Sequence, residues 1–161
     1  MRQQLRTLTL VGGLAVLMWQ CPHAAEAAYS GHTVGNLINQ LQSDVPKKRL
    51  QAAYELGQMG GGAEAAVPAL AGALANDRET LVRFQVAQTL GQIGAAARRA
   101  VPALAEAMRD KDAFVRFGAA EALGRIGPGA RRAVPDLQAA LNDKHVSVRA
   151  AAAEALKKTE R

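Results

Sequence analysis

Between residues 67 and 94 the apolar positions fall into two helical sets separated by a polar turn. Leu70, Ala71 and Leu74 recur at helical spacing and predict the buried stripe of a first helix. Asn76 and Asp77 interrupt it. Val82, Val86, Thr89, Leu90 and Ile93 then share one side of a second helix, expected from about Glu79 to Ile93. Pro68 suits the first turn of the first helix, where an N–H would have no partner. Gly94 suits a left-handed cap at the end of the second.

The same pattern returns over 101–127 and 134–158, and less regularly over 33–60. Leu-Gly pairs stand at 56, 90 and 123, Val-Pro pairs at 67, 101 and 134, and Val-Arg pairs at 82, 115 and 148. The period is 33 or 34 residues. Such a period predicts an all-α fold: an α-solenoid of four helical hairpins, eight helices, over residues 33–161. The first unit has Val34 in place of the proline and a turn one residue shorter. The last unit ends in Lys157, Lys158 and Thr159 instead of the Gly-x-x-Gly stop. Irregular end units are expected, because their outer faces meet water.

An acid and a base recur across each turn. Asp77 and Arg83, Asp110 and Arg116, and Asp143 and Arg149 are six residues apart, and Asp44 and Arg49 are five apart. The aspartate is expected to cap the second helix, or to take a hydrogen bond from the arginine of its own or a neighbouring unit. These arginines read as structural.

The stretch LGQIGAAARRAVPALAEAMRDKDAFVRFGAAEALGRIG, residues 90–127, resembles the HEAT-like repeats named after phycobilisome lyases. Its Leu-Gly-x-x-Gly, Ala-Val-Pro-x-Leu and Asp-x5-Arg elements carry the resemblance, which extends over nearly all of 33–161. The resemblance implies a solenoid whose second helices line a concave surface, commonly a platform for another macromolecule. It also implies a second possibility, an accessory subunit of a lyase-type or pigment–protein complex. Some HEAT-like enzymes bind iron through His-Glu pairs; this chain has none, so no metal, cofactor or catalytic residue is carried over.

The side of the second helices away from the core holds the candidate binding residues. Phe84, Gln88, Leu81 and Gln92 fall there in the second unit, and Phe117, Glu121, Phe114 and Arg125 in the third. The first unit places Leu50, Tyr54, Lys47 and Gln58 at these positions, and the fourth Ala150, Glu154, Ser147 and Lys158. Scarce aromatic residues are therefore concentrated where packing needs them least. An apolar strip of Leu50, Tyr54, Leu81, Phe84, Phe114 and Phe117, edged by Gln88, Glu121 and Arg125, predicts a site for a protein or peptide. In the competing arrangement the rings lean sideways and fill gaps between neighbouring second helices, against small residues such as Gly118 and Ala150.

Other chemistry is thin. Of three histidines, His145 is expected at a helix start without a companion ligand, and the serines lack a histidine–acid context. Glu121 and Glu154, one unit apart, read as exposed glutamates. GGGAEAA at 60–66 lacks the lysine and hydroxyl ending of a phosphate loop.

The N-terminal residues follow another logic. Arg2 and Arg6, the mostly apolar run Thr7 to Trp19, Pro22 and the Ala25-Glu26-Ala27 site have the order of a secretory signal peptide over 1–27, followed by a linker over 28–32. The run falls short of the ~20 residues that cross a bilayer. An exported, periplasmic or otherwise extracytoplasmic protein is expected, the alternative being an anchor formed by an uncleaved N-terminal helix. Cleavage after Ala27 would remove Cys21, the one cysteine, and lower the net charge from +6 to +5. A mildly basic mature chain suits contact with an anionic polymer or envelope surface through Arg98, Arg99, Arg131 and Arg132, which fall in the linkers between units. Nucleic acid is not the expected partner, because the predicted concave face mixes aromatic residues with both signs of charge.

Overall fold

The computed structural model describes residues 33–160. Among them are four helical pairs: α1 Val34–Gln40 with α2 Pro46–Gln58, α3 Val67–Asn76 with α4 Thr80–Ile93, α5 Val101–Ala107 with α6 Ala113–Ile126, and α7 Val134–Ala140 with α8 Val146–Thr159. The signal peptide and linker expected over 1–32 lie outside the described residues. No helix among the described residues is long and apolar enough to cross a membrane.

The eight α-helices do not stand as eight separate helical stretches. The linkers Gly60–Ala66, Gly94–Ala100 and Gly127–Ala133 are 3-10 helices that abut the following helix, and two of them also abut the preceding one. Helical backbone therefore runs through six uninterrupted stretches. The linkers are rich in alanine and glycine, and their Ala66, Ala100 and Ala133 are fully buried. Small side chains allow this tight winding against the neighbouring helices.

Proline stands in the first turn of α3, α5 and α7, as the sequence predicts. Gly94 and Gly127 have φ of 69°, but ψ of −136° rather than the value of a left-handed helical cap. This conformation belongs to glycine, and it turns the chain directly from the even-numbered helix into the 3-10 linker.

The even-numbered helices pack side by side in chain order, α2 on α4, α4 on α6 and α6 on α8. The odd-numbered helices cover them on one side and touch one another much less. The even-numbered helices thus form the more closely spaced layer, and the inner face is its side turned away from the odd-numbered helices. Glycine sets that spacing. A Cβ at Gly91 would lie 3.0 Å from the Ala122 Cα, and one at Gly124 would lie 3.0 Å from the Ala155 Cα.

The core holds the expected stripe: Leu70, Leu74, Val82, Val86 and Leu90 are buried, and so are Leu104, Met108, Val115, Ala119 and Leu123, their counterparts in the third unit. Thr89 is buried among them, and its hydroxyl donates to the Ala53 carbonyl at 2.7 Å. This bond satisfies the one polar side chain of the stripe and ties α4 to α2.

The acid–base pairs join neighbouring units. Arg49 binds Asp77, Arg83 binds Asp110 and Arg116 binds Asp143, each through Nε and Nη2 to the two carboxylate oxygens at 2.6 to 3.0 Å. The third guanidinium nitrogen donates back to carbonyls of the arginine's own turn, as from Arg83 to Asp77 at 3.0 Å. Each aspartate also accepts the N–H two residues on, from Glu79, Asp112 or His145. The sequence left own-unit and neighbouring-unit pairing open; the carboxylate comes from the next unit. The aspartate closes the turn ahead of the even-numbered helix rather than serving as its N-cap residue, which is Glu79, Asp112 or His145.

Hydrogen bonding from Arg116 holds the Asp143 carboxyl at about 2, against burial and with help from the His145 N–H. Burial pushes Asp77 and Asp110 upward, but the bonds from Arg49 and Arg83 and from the turn N–H groups outweigh it and leave both below the usual carboxylate value.

Candidate functional site

The inner face is built by four rows of equivalent residues, one from each even-numbered helix. Nearest the turns are Lys47, Leu81, Phe114 and Ser147, then Leu50, Phe84, Phe117 and Ala150. Tyr54, Gln88, Glu121 and Glu154 follow, and Gln58, Gln92, Arg125 and Lys158 are nearest the linkers. On α4 and α6 the face is thus graded along the helix axes, from apolar near the turns to polar or basic near the linkers.

The nine sequence-predicted residues do not share one environment. Phe114 is 70% exposed, Leu81 68% and Tyr54 49%. Arg125 is also exposed, whereas Gln88 and Glu121 are half-buried. Leu50, Phe84 and Phe117 are half-buried and pack against the core. The expectation that Phe84 and Phe117 simply point away from the core therefore needs correction.

The cause at Phe84 is its neighbour. Gly118 on α6 leaves space that a Cβ would fill, 3.1 Å from the Phe84 Cδ2. The ring leans sideways into it, and one edge remains open. There it meets Phe114, with ring centroids 6.2 Å apart and planes at 64°. That edge-to-face arrangement is favourable for aromatic quadrupoles. Phe84 thus supports Phe114 from below, and Phe114 and Leu81 carry the exposed apolar surface. Val146, at the start of α8, is another exposed apolar side chain, 71% exposed. Sequence reasoning missed it because Val146 stands one position before the row that contains Ser147.

A cleft of about 640 Å³ lies between the first two turns, lined by Asp44, Arg49, Asp77 and Glu79 among others and by none of the nine predicted residues. Among the described residues no group of three or more His, Cys, Asp or Glu is placed to hold a metal ion. An open apolar strip with polar edges offers area to a macromolecule rather than enclosure to a small molecule.

Stacked helical hairpins with a continuous core define an α-solenoid. The HEAT repeats family model matches residues 34–99 and 95–157, and the chain belongs to that family. Comparison with curated protein sequences finds no match. Among solved structures, the complex of CpcE and CpcF of phycocyanin lyase from Nostoc sp. PCC7120 is 29% identical over 80% of this chain and 65% of that chain, with a TM-score of 0.53. An engineered protein from the Northeast Structural Genomics Consortium is 25% identical over 79% of this chain and 62% of its own, with a TM-score of 0.61. A second engineered protein from that consortium, 23% identical over 86% of this chain and 40% of its own, has a TM-score of 0.64 and shares the fold. The chain therefore spans less than two thirds of the length of each of these structures.

Proposed function

We propose that the chain is a non-enzymatic interaction scaffold that takes a protein or peptide segment on the inner face of its even-numbered helices. The observation that carries this reading is the exposure of Leu81 and Phe114 beside the half-buried Phe84 and Phe117. Together they form an apolar anchor surface with Gln88, Glu121 and Arg125 at its margin. The test is partner capture from an envelope fraction, comparing the wild type with the double variant Leu81→Glu, Phe114→Glu. Both side chains are exposed, so helicity should persist while specific partners are lost. Equal capture by both proteins would sink the reading.

The similarity to one chain of a two-component lyase complex supports a second reading, an accessory subunit of such a complex. A stable stoichiometric partner that acquires lyase activity only with this chain would favour it. The setting we propose follows from the leader expected over 1–27 and is extracytoplasmic. N-terminal sequencing of the mature protein tests it, and a chain recovered from the cytoplasm with an intact N-terminus would refute it.

A further inference from the structure

A second surface lies where the linkers line one edge of the solenoid. Arg98 and Arg99 on the second linker and Arg131 and Arg132 on the third are all exposed and stand one repeat apart. Their linkers touch each other: a Cβ at Gly129 would lie 3.5 Å from the Arg98 Cβ. Arg125, at the end of α6, is exposed at the same edge, and so is Lys158. The Lys158 carbonyl lies 3.8 Å from where a Gly127 Cβ would stand.

Among the described residues none of these six cations has a carboxylate within ion-pair distance, in contrast to the arginines of the ladder. Arg131 makes only a long bond, 3.4 Å, from Nε to the Thr159 carbonyl. The opposite edge, at the inter-helix turns, mixes Asp44, Asp77, Glu79, Asp110, Asp112 and Asp143 with Arg78, Lys111 and Lys144, and three of its aspartates are already paired with the arginine ladder. Charge is therefore mixed at the turns and of one sign, positive, along the second and third linkers.

We infer that this linker edge docks on the surface of an anionic lipid bilayer. Two features favour a bilayer over other acidic partners. The exposed large apolar side chains Val45, Tyr54, Leu81, Phe114, Leu141 and Val146 all lie away from the linkers. Between the arginines are Ala, Gly and Pro, so the edge has charge but no anchor for a protein hot spot. Arg99 lines a recess of about 520 Å³ that it shares with Glu64 of the first linker. Arg98, Arg131 and Arg132 carry the positive charge beyond that recess onto the third linker, a spread that suits a surface of head groups. Docking this way leaves the inner face directed sideways, open to a partner.

The test uses the full chain and sedimentation with phosphatidylcholine vesicles, with and without phosphatidylglycerol. Binding is expected only to the anionic vesicles, and it should disappear at about 1 M salt, where the Debye length falls to about 3 Å. Replacing Arg98, Arg99, Arg131 and Arg132 with Gln should weaken binding by about 100-fold or more. Replacing Arg78 and Lys111, on the opposite edge, should leave it unchanged. Equal binding by the four-arginine variant, equal binding to neutral vesicles, or tighter binding to soluble polyphosphate than to the vesicles would each overturn the inference. Circular dichroism confirms that each variant is folded.

Discussion

Arg83 and Asp110 are 27 residues apart and are joined by two parallel hydrogen bonds, Nε to Oδ2 at 2.8 Å and Nη2 to Oδ1 at 3.0 Å. The pair is one rung of a ladder in which an arginine reads the turn of the next unit while its third nitrogen holds its own turn. Removing one partner leaves a largely buried charge without its complement. Arg83→Met should cost about 2–4 kcal/mol in urea unfolding. Asp110→Asn keeps an acceptor for the Asp112 N–H and should cost less. The two changes together should cost less than their sum, with a coupling of about 1–2 kcal/mol in a double-mutant cycle. Strict additivity would show that the rung is decorative.

The ladder also sets the response to acid. Asp77, Asp110 and Asp143 all sit below the ordinary value of 3.8 in the folded chain, Asp143 at about 2. A carboxylate depressed by folding stabilises the fold above its unfolded value, and that contribution is lost as pH falls through the folded one. The thermal midpoint should therefore drop as pH falls from 3.8 towards about 2. Asp143→Asn removes one titrating group and should flatten part of that drop. The measurement is a series of melting curves across this range, and an identical pH slope in the variant would contradict the assignment.

The glycines divide into two kinds, and alanine substitution separates them. At Gly91 and Gly124 a Cβ would press on the backbone of Ala122 and Ala155, atoms that cannot move without parting two helices. Gly124→Ala should destabilise by about 1–3 kcal/mol. Gly72 lies on the exposed side of α3 with nothing within 4 Å of its Cβ position. Gly72→Ala should stabilise by about 0.5–1 kcal/mol, because alanine favours helix and restricts the unfolded chain. Denaturant midpoints of opposite sign for the two variants are the expected result.

These cases mark how far the sequence is legible. The spacing of Leu70, Leu74, Val82, Val86 and Leu90 is enough to place two helices and their buried sides, because amphipathic period is a property of each helix alone. The partner of Asp110 is not legible in that way. A spacing of six residues to Arg116 describes one turn, whereas the relation to Arg83 depends on how successive units stack. Phe84 fails for the same reason: its angle on α4 points outward, but Gly118 on α6 opens a space beside it. The 3-10 form of the linkers, with their buried alanines, likewise depends on neighbouring units. Of the inner face, the rows were readable; which ring stands free and which leans was not.

That distinction yields a stability test at the inner face. Phe84 is half-buried and rests over Gly118, so Phe84→Ala removes packing between α4 and α6 and opens a gap. It should cost about 2–4 kcal/mol, towards the lower end because part of the ring is already in water. Phe114 is 70% exposed and contributes mainly its edge contact with Phe84. Phe114→Ala should cost no more than about 1 kcal/mol. Gly118→Ala offers a third reading of the same contact. Its Cβ would come within 3.1 Å of the Phe84 ring, which must then give by a few tenths of an ångström. Urea unfolding measures all three. If Phe84→Ala and Phe114→Ala have equal and small effects, Phe84 is not the support beneath Phe114, and the inner face lacks the rigid floor assigned to it.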